Sequence, residues 1–467
     1  MEGRTTEGPA RAVRLLRTTA EDRIMIGRVL ESFDQLEVSH RAVEVAGRIK
    51  EIRDHGAVRF YTIADSTGSI QIIDQSKRQS SGEIAGLNRW DIVSAVGHVG
   101  RSRNGTQSVI LDHLEVLVPC ERPLLPGRID DPEKRAKQRH LDLLTNADST
   151  VTFTRVSKTL AELRRFLGTE GFLEFETQIL KGQYDGGTSR PFVTFHDALK
   201  RDFFLRVTSE MQLKQLLIGG FDNVFEIGKS FRNEGIGNMS YPEFTLLEAY
   251  STFRNYRYVM NLVERMVRQT ALSVTGSDTV TFDGSQVQLG RPWERITFRD
   301  AGARFAGVDI REIAGSQEAV KKVAEKFELG EAEGYDAVMS KLLDKVIRPN
   351  LVQPTFVTEL PESMSPFARP IAKDPFYAER AWGYAGGLDL CDIFSDENNP
   401  ATVRRKFAEE DRKAYGKVGY SHVHEDFIDG LTYGLPPSSG VGFSVNRLLM
   451  LLTDKQNIRD VIPFQHV

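Results

Sequence analysis

Alternating apolar and polar residues divide the first quarter of the chain into short extended segments. Five such runs lie between residues 40 and 120, and HG, STG and NG turn signals separate them. Strands of this number and length predict a small Greek-key barrel such as the OB-fold, whose open face commonly binds oligonucleotides. We therefore assign residues 37–120 to a β-barrel domain. Its runs read VEVAGRIKEI, AVRFYTIAD, GSIQIID, DIVSAVGHVG and QSVILDHLEVL.

The segments on either side of this barrel have other patterns. Residues 1–36 are polar at first and then carry apolar residues spaced loosely for one helix face, which predicts a helical extension. Either a plain surface helix or an arm that contacts RNA fits that pattern. Residues 121–150 hold two prolines ahead of a basic, helix-like stretch, and we interpret them as a linker.

Beyond residue 150 the pattern predicts a mixed α+β domain that runs from 151 to 467. VSKTLAELRRFLGTEGF has the period of an amphipathic helix that Gly171 ends, and NYRYVMNLVERMVRQTAL predicts a second helix. Residues 315–348 read as a helical insertion. The strands of a mostly antiparallel sheet are predicted in FLEFETQIL, FFLRVTSE, NVFEIGKSFRN, EFTLLEAYST and GGLDLCDIFS.

Composition narrows the class of protein. The 467 residues are 40% hydrophobic and 27% charged, with a net charge of -4, so any contact with RNA must come from local basic patches. Two cysteines far apart exclude a disulfide scaffold and fit a reducing cytosol. No apolar run reaches the roughly 18 residues that span a bilayer, and the N-terminal residues do not read as a secretory signal. We expect a cytoplasmic protein that does not bind membranes.

Three residues of the predicted barrel are candidates for RNA binding. Arg59, Phe60 and Gln71 should lie on neighbouring strands. An aromatic ring that stacks on a base, with polar side chains that read its edge, is what recognition of single-stranded RNA requires. The alternative is that Phe60 fills the barrel core, and the residues alone leave both interpretations open.

Arginine and acidic residues on adjacent predicted strands form the candidate catalytic set. Joining a carboxylate to the α-phosphate of ATP brings two anions together, and fixed guanidinium groups neutralise the charge that builds up. Arg232 and Arg447 suit that role. Nearby carboxylates can hold a substrate ammonium or a magnesium ion, for which Glu234, Glu248 and Asp389 are candidates. Taken singly, each of these residues would more often form a surface ion pair.

Several motifs resemble those of one enzyme family. FRNEG followed by PEFTLLEAY resembles motif 2 of the class II aminoacyl-tRNA synthetases of the lysyl type, GLPPSSGVGFSVNR resembles motif 3, and GFLEFETQIL resembles motif 1. The resemblance runs in order over about residues 40 to 467. It implies an OB-fold anticodon-binding domain followed by a class II catalytic domain, with ATP and Mg²⁺ as cofactors. It also implies tRNA and lysine, or a lysine analogue, as partners of a homodimer.

The same resemblance implies roles for residues around ATP. Arg232 would grip the α-phosphate and the substrate carboxylate, and Arg447 would hold the γ-phosphate. Glu234 would reach the adenine, against which Phe244 would stack. Asp389 would bind ATP and the metal.

A second group of residues is implied to bind the amino acid. Glu210 would hold the α-ammonium, and Glu248 with Tyr250 would line the pocket near the side-chain amine. Phe394 would pack along the methylene groups. The positions of Asp392 and Asp396 complete the pocket. In the barrel, Phe60 and Gln71 match positions that contact the anticodon in the family.

The chain departs from the family pattern inside the site. Trp382 stands where a metal-binding glutamate is expected, and Asp389 is shorter than the second one. Asp396 replaces the glutamate that pairs with the lysine ammonium, and Asp392 replaces an asparagine. Shortening a carboxylate by one methylene moves it back by more than about 1 Å, which either weakens a direct contact with an ammonium group or makes room for a longer or branched amine. Motif 1 has Gln178 in place of its proline, which weakens the inference of a dimer.

These observations leave three hypotheses about function. The first is activation of lysine, or a lysine-like amino acid, as an adenylate and its transfer to tRNA, which the barrel favours. The second is a paralogue that ligates the activated amino acid to a small-molecule or protein amine, which the altered pocket favours. The third is a non-catalytic RNA-binding protein, which Trp382 favours and the retained Arg232 and Arg447 oppose.

Overall fold

The fold was analysed in a computed structural model, which describes residues 23–56, 58–75, 86–122, 129–185, 189–330, 334–418, 420–421 and 423–465. The first part of the predicted N-terminal extension, residues 1–22, lies outside the described residues. The chain divides into two compact units, Met1–Gly127 and Arg128–Val467.

The first unit is the predicted OB-type barrel. Its strands close in the order β1-β2-β3-β5-β4, with β3 and β5 parallel and the other pairs antiparallel. Two short helices precede the barrel and bury Ile26, Val29 and Phe33 against its apolar interior. The elements are α1 Ile26–Glu31, α2 Phe33–Ser39, β1 Ala42–Asp54, β2 Arg59–Ala64, β3 Ser69–Asp74, β4 Ile92–Arg101 and β5 Gln107–Val118.

The second unit has the predicted α+β composition. Two short helices stand inside the segment that we interpret as a linker, α3 Pro132–Lys137 and α4 Arg139–Thr145. The other helices are α5 Ala147–Thr169, α6 Glu210–Ile218, α7 Tyr256–Thr275, α8 Phe298–Ala306, α9 Ile310–Ile313, α10 Gln317–Lys326, α11 Tyr335–Leu342, α12 Pro400–Val418, α13 Glu425–Thr432 and α14 Val445–Thr453.

Among the described residues, the strands of the second unit form one large sheet and three small ones. They are β6 Leu173–Glu174, β7 Leu180–Lys181, β8 Val193–His196, β9 Arg201–Leu205, β10 Asn223–Phe231, β11 Glu243–Thr252, β12 Thr279–Phe282, β13 Ser285–Gln288, β14 Glu294–Thr297, β15 Thr355–Thr358, β16 Pro370–Ile371, β17 Asp374–Ala378, β18 Arg380–Ala385, β19 Leu388–Ser395 and β20 Ser438–Ser444.

The large sheet has eight strands in the order β14-β15-β18-β19-β20-β11-β10-β6. Only its outer pairs, β14 with β15 and β10 with β6, are parallel, so the prediction of a mostly antiparallel sheet is confirmed. One face packs on α5, α7 and α14, where Val263 and Leu448 meet strand residues such as Leu247. Because side chains alternate along a strand, every second residue of the central strands points away from these helices, to the opposite face of the sheet.

Two predicted strands are wrong over much of their length. FLEFETQIL pairs only at β6 and β7, because the carboxylate of Glu226 accepts hydrogen bonds from both the backbone and the hydroxyl of Thr177 and fixes the chain between them in a non-strand path. FFLRVTSE forms β9 but then turns into α6 at Glu210. The described part of the predicted insertion at 315–348 is mainly helical, as α10, α11 and a π-helical turn at Leu343–Ile347.

Within the described residues, no helix is both long enough and apolar enough to cross a membrane.

Candidate active site

The candidate site lies on the face of the large sheet that is turned away from α7 and α14. Cross-strand pairing puts Glu226, Glu248, Gly442, Asp392 and Trp382 in one row over five adjacent strands. The next row on the same face joins Tyr250, Gly440, Phe394 and Arg380. The period of two in β11 therefore places Phe244, Leu246, Glu248 and Tyr250 in a line along the floor of the site.

A cavity of about 450 Å³ opens at the Phe244 end of this line, a volume within the range of ligand pockets. The guanidinium of Arg232 stands 5.2 Å from the centre of the Phe244 ring. All five residues that the resemblance assigns to ATP line this one cavity: Arg232, Glu234, Phe244, Asp389 and Arg447.

Arg447 is held at the rim of the cavity by two elements. Nη1 donates a hydrogen bond of 2.5 Å to Oδ2 of Asp389, and Nη2 donates one of 3.3 Å to the carbonyl of Met239. Arg348 brings a second guanidinium to within 3.8 Å of Oδ1 of Asp389. Arg348 also pairs with Asp344, at 3.7 Å, so two guanidinium groups face two carboxylates at this rim, and the guanidinium groups supply donors that suit phosphate oxygens.

Two polar side chains, Ser444 and Asn446, have a structural role at the start of α14. The hydroxyl of Ser444 accepts a hydrogen bond from the backbone N–H of Arg447 and caps the helix. Oδ1 of Asn446 accepts a hydrogen bond of 2.7 Å from the backbone of Thr245, which ties α14 to β11. These structural contacts account for both side chains without any contact with ATP.

Trp382 and Asp392 share a partner that the sequence did not predict. Arg380 donates hydrogen bonds of 2.9 and 2.6 Å to the two carboxylate oxygens of Asp392, and its guanidinium lies 5.0 Å from the centre of the Trp382 ring. Burial lowers the pKa of Arg380, but the negative charge of Asp392 and the hydrogen bonds to that carboxylate outweigh burial and raise this pKa. Asp392 is therefore neutralised by the chain itself.

The predicted amino-acid residues form a buried cluster at the Tyr250 end of the floor. Glu248 accepts hydrogen bonds from the hydroxyls of Thr208, at 2.6 Å, and Ser209, at 3.2 Å. The ring of Tyr250 lies over Gly440, where any side chain would overlap it. A glycine at 440 is thus required for the tyrosine to occupy the floor.

Burial controls the charge of Glu248. Removal from water raises the pKa of this carboxyl to about 7, and the charge of Glu210 adds to the rise, while the hydrogen bond from Thr208 opposes it. The pocket can therefore gain or lose a negative charge near neutral pH.

Lys214 is the residue at the centre of this cluster, and the sequence interpretation missed it. Its Nζ lies 2.5 Å from Oε1 of Glu210 and 2.6 Å from Oδ1 of Asp396. Burial lowers the pKa of Lys214, but the charges of Asp396 and Glu210 outweigh burial and raise this pKa above its ordinary value. The available signal was the spacing of four residues from Glu210, which puts both on one helix face.

In the barrel, the candidate RNA residues are on adjacent strands, since β2 and β3 are paired antiparallel. Tyr61 is buried in the barrel core and Phe60 is not, so the alternative that Phe60 fills the core is wrong. Phe60 and Gln71 share the outer face, where Gln71 accepts a hydrogen bond of 3.0 Å from Ser108. Arg59 belongs to the opposite face of β2 and bonds to Asp54.

A metal ion in this site would have few protein ligands. The described residues contain no group of three or more histidine, cysteine or acidic side chains that could hold one. Oδ1 of Asp389 accepts no hydrogen bond from a described residue, and Asp344 lines the same cavity. Mg²⁺ is usually bound by one or two carboxylates together with substrate phosphates, so Asp389 fits a metal that arrives with ATP.

Comparison with known proteins identifies relatives over nearly the whole chain. Residues 131–467 match the family described as tRNA synthetases class II (D, K and N), and residues 43–117 match the OB-fold nucleic acid binding domain. A lysine–tRNA ligase of Dehalococcoides mccartyi is 36% identical over 431 residues, which covers 90% of this chain and 86% of the relative. The lysine–tRNA ligase of a Roseiflexus species is 37% identical over 460 residues, with 95% and 92% covered.

Proposed function

Because the chain belongs to the class II aminoacyl-tRNA synthetases, and among them to the lysyl type, we propose that it activates lysine with ATP and transfers it to tRNA. The observation that carries the proposal is the single cavity in which both arginines, Arg232 and Arg447, face the same space as Phe244. The buried acidic cluster beyond it supplies carboxylates for a substrate with two ammonium groups.

In the first step, an oxygen of the lysine carboxylate attacks the α-phosphorus of ATP. The bond from that phosphorus to the bridging oxygen breaks, and pyrophosphate leaves with the electron pair. Arg232 would neutralise the charge that builds on the α-phosphate, while Arg447 would hold the outer phosphates. Phe244 would provide the face on which the adenine stacks, and Glu234 would accept from its amino group. In this way the site holds the two reacting anions together.

Magnesium is part of this proposal. Asp389, whose Oδ1 accepts no hydrogen bond from a described residue, would hold the ion against the phosphates, with Asp344 on the same wall. When bound, the ion screens the negative charge of the phosphate groups.

In the second step, a ribose hydroxyl at the 3′ end of tRNA attacks the carbonyl carbon of the adenylate and AMP leaves. The barrel would select the tRNA by its anticodon, with Phe60 as the stacking platform and Gln71 as a polar contact on the same face. Arg59, bonded to Asp54 on the other face of β2, would act on the phosphate backbone only if it leaves that carboxylate.

We also propose a homodimer and a cytoplasmic location. Apolar side chains stand exposed in the motif 1 segment and the small sheet beside it, and exposed apolar patches of this kind mark protein contacts. They are Leu173, Ile179, Leu180, Val193 and Phe195. Cys120 and Cys391 are both free thiols, which suits the reducing cytosol in which tRNA is charged.

Two assays on one preparation test the function. Pyrophosphate exchange into ATP, over a panel of basic amino acids, should depend on lysine, and lysine should then be attached to tRNA. Exchange without transfer to tRNA would instead assign the chain to ligation of another amine. Absence of exchange with every amino acid would refute the proposed activation.

A further inference from the structure

Lys214 occupies the place where an incoming ammonium group would bind. Its Nζ lies between the carboxylates of Glu210 and Asp396, and 5.3 Å and 5.0 Å from the centres of the Tyr250 and Phe394 rings. The side chain is only 5% exposed. Two carboxylates and two aromatic faces are what a buried alkylammonium ion requires. The four side chains that surround Lys214 are the ones that the sequence assigned to the amino-acid substrate.

The contact with Asp396 differs from the contact with Glu210. Lys214 donates a hydrogen bond to Glu210, whereas its contact with Oδ1 of the fully buried Asp396, at 2.6 Å, is an ion pair. Its other oxygen, Oδ2, accepts a hydrogen bond of 2.6 Å from Ser438, which fixes the carboxylate independently of Lys214. This rigid, buried oxygen, which pairs with the Lys214 ammonium, is therefore a place where the ammonium group of a ligand can take over the contact.

We propose that Lys214 is a specificity-determining residue that competes with the side-chain ammonium of the substrate for Asp396. This inference rests on the proposed function for the identity of the substrate. When lysine binds, its ammonium takes Asp396 and Lys214 keeps Glu210 alone. The carboxylates of Glu210 and Asp396 and the ammonium of Lys214 together leave one negative charge, so the site still accepts a second cation. Its affinity for that cation is lower than it would be without Lys214.

The competition predicts a gain of affinity when the internal ammonium is removed. Lys214→Met keeps the length of the side chain and deletes its charge. We expect the KM for lysine in pyrophosphate exchange to fall about tenfold with little change in kcat, a difference of about 1.4 kcal/mol in binding. Discrimination against norleucine, the neutral analogue of lysine, should rise. Lys214→Arg, which retains the charge, should not lower the KM.

Lys406 provides a matched control, because it is another buried lysine of the same unit, with Glu362 at 2.8 Å. Lys406→Met should reduce stability without lowering the KM for lysine. An unchanged or raised KM in folded Lys214→Met would overturn the proposal.

A second measurement does not depend on the folding of a variant. In a crystal structure of the wild-type protein soaked with lysine, the substrate ammonium should lie within hydrogen-bond distance of Oδ1 of Asp396, and Lys214 should contact only Glu210. A Lys214 that stays on Asp396 with lysine bound elsewhere would refute the competition.

Failure of the proposed function can be told apart from failure of this inference. If no amino acid supports exchange, binding of pentane-1,5-diamine to the wild type and to Lys214→Met can still be compared by calorimetry. Tighter binding to the variant supports the competition, and equal or weaker binding refutes it.

Discussion

Arg447 and Asp389 are joined by a hydrogen bond of 2.5 Å that crosses the rim of the cavity from α14 to β19. One carboxylate therefore orients the arginine through Oδ2, while its Oδ1 accepts no hydrogen bond from a described residue and lies 3.8 Å from Arg348. Because a triphosphate and Mg²⁺ would both act on this pair, changes to its charge should alter the metal dependence of the reaction.

Asp389→Asn should raise the Mg²⁺ concentration needed for half-maximal pyrophosphate exchange, by about fivefold, since the amide binds the ion more weakly than a carboxylate. Trp382→Glu should lower it, because it adds a carboxylate to the wall of the same cavity. Magnesium titrations of both variants at saturating ATP measure the effect. Identical midpoints in the wild type and both variants would show that neither position is near the metal.

Arg232→Ala should reduce kcat for pyrophosphate exchange by about 100-fold to 1,000-fold, because it removes a fixed positive charge from the reacting phosphate. Its side chain faces the cavity, so the midpoint of thermal unfolding should change little. Arg265→Ala is the control, since Arg265 forms an exposed pair with Glu170. Retention of full exchange by Arg232→Ala would remove this residue from the mechanism.

Glu248 should make the protein less stable as the pH rises through 7. Its pKa is about 7 in the folded protein and near 4.5 when unfolded, so the folded state holds the proton more tightly. The resulting stability is complete below pH 4.5 and is lost above pH 7, by an amount on the order of 3 kcal/mol. Glu248→Gln keeps an acceptor for Thr208 and abolishes this pH-dependent contribution to stability.

Urea unfolding at pH 5 and pH 8 measures that difference. The variant should gain stability relative to the wild type at pH 8, and a constant difference between the two pH values would contradict the assignment. The wild-type KM for lysine should also fall over this range, because the ionised carboxylate attracts a cation.

Phe60→Ala should raise the KM for tRNA by about fivefold to 100-fold, as expected for the loss of one stacked base. Pyrophosphate exchange, which needs no tRNA, should be unchanged. Val38→Ala, at an exposed apolar residue of the same unit, is the control. Aminoacylation kinetics with an unmodified tRNA transcript measure the effect, and an equal KM in both variants would place the anticodon elsewhere.

Leu180→Asp and Phe195→Asp should convert the proposed dimer to monomers, because each puts a charge on the exposed apolar patch. Light scattering after size-exclusion chromatography gives the mass directly. Phe253→Asp, at an aromatic residue that is 72% exposed, is the control. A wild-type protein that is monomeric at micromolar concentration would refute the dimer.

Local pattern predicted the fold well where one strand face is buried and the other carries polar groups. The alternation predicted β11 as a strand, and in the structure Glu248 and Tyr250 lie on one of its faces, opposite Leu247. It failed in FLEFETQIL, where a side chain from another strand, Glu226, takes the hydrogen bonds that a neighbouring strand would make. The helix α3 had a visible start, Asp131 before Pro132, within the segment that we interpreted as a linker.

The sequence predicted which residues belong to the candidate site, but it did not predict which of them contact one another. Lys214 and Asp396 are far apart along the chain, and nothing local indicates that α6 places one beside the other. The same holds for Arg380, which neutralises Asp392 across two paired strands. Partners fixed by sheet register are determined by tertiary packing, which spacing along one strand does not reveal.

A substitution at Gly440, whether natural or engineered, would damage one part of the site and spare another. One methyl group there would push the Tyr250 ring off the floor, while the ATP cavity, whose wall includes Gly442 but not Gly440, would stay open. A single-nucleotide change could thus yield a descendant that still holds ATP and no longer reads the amino acid. Two glycines of β20 therefore serve different parts of the site: Gly442 lines the ATP cavity, and Gly440 makes room for Tyr250 in the amino-acid pocket.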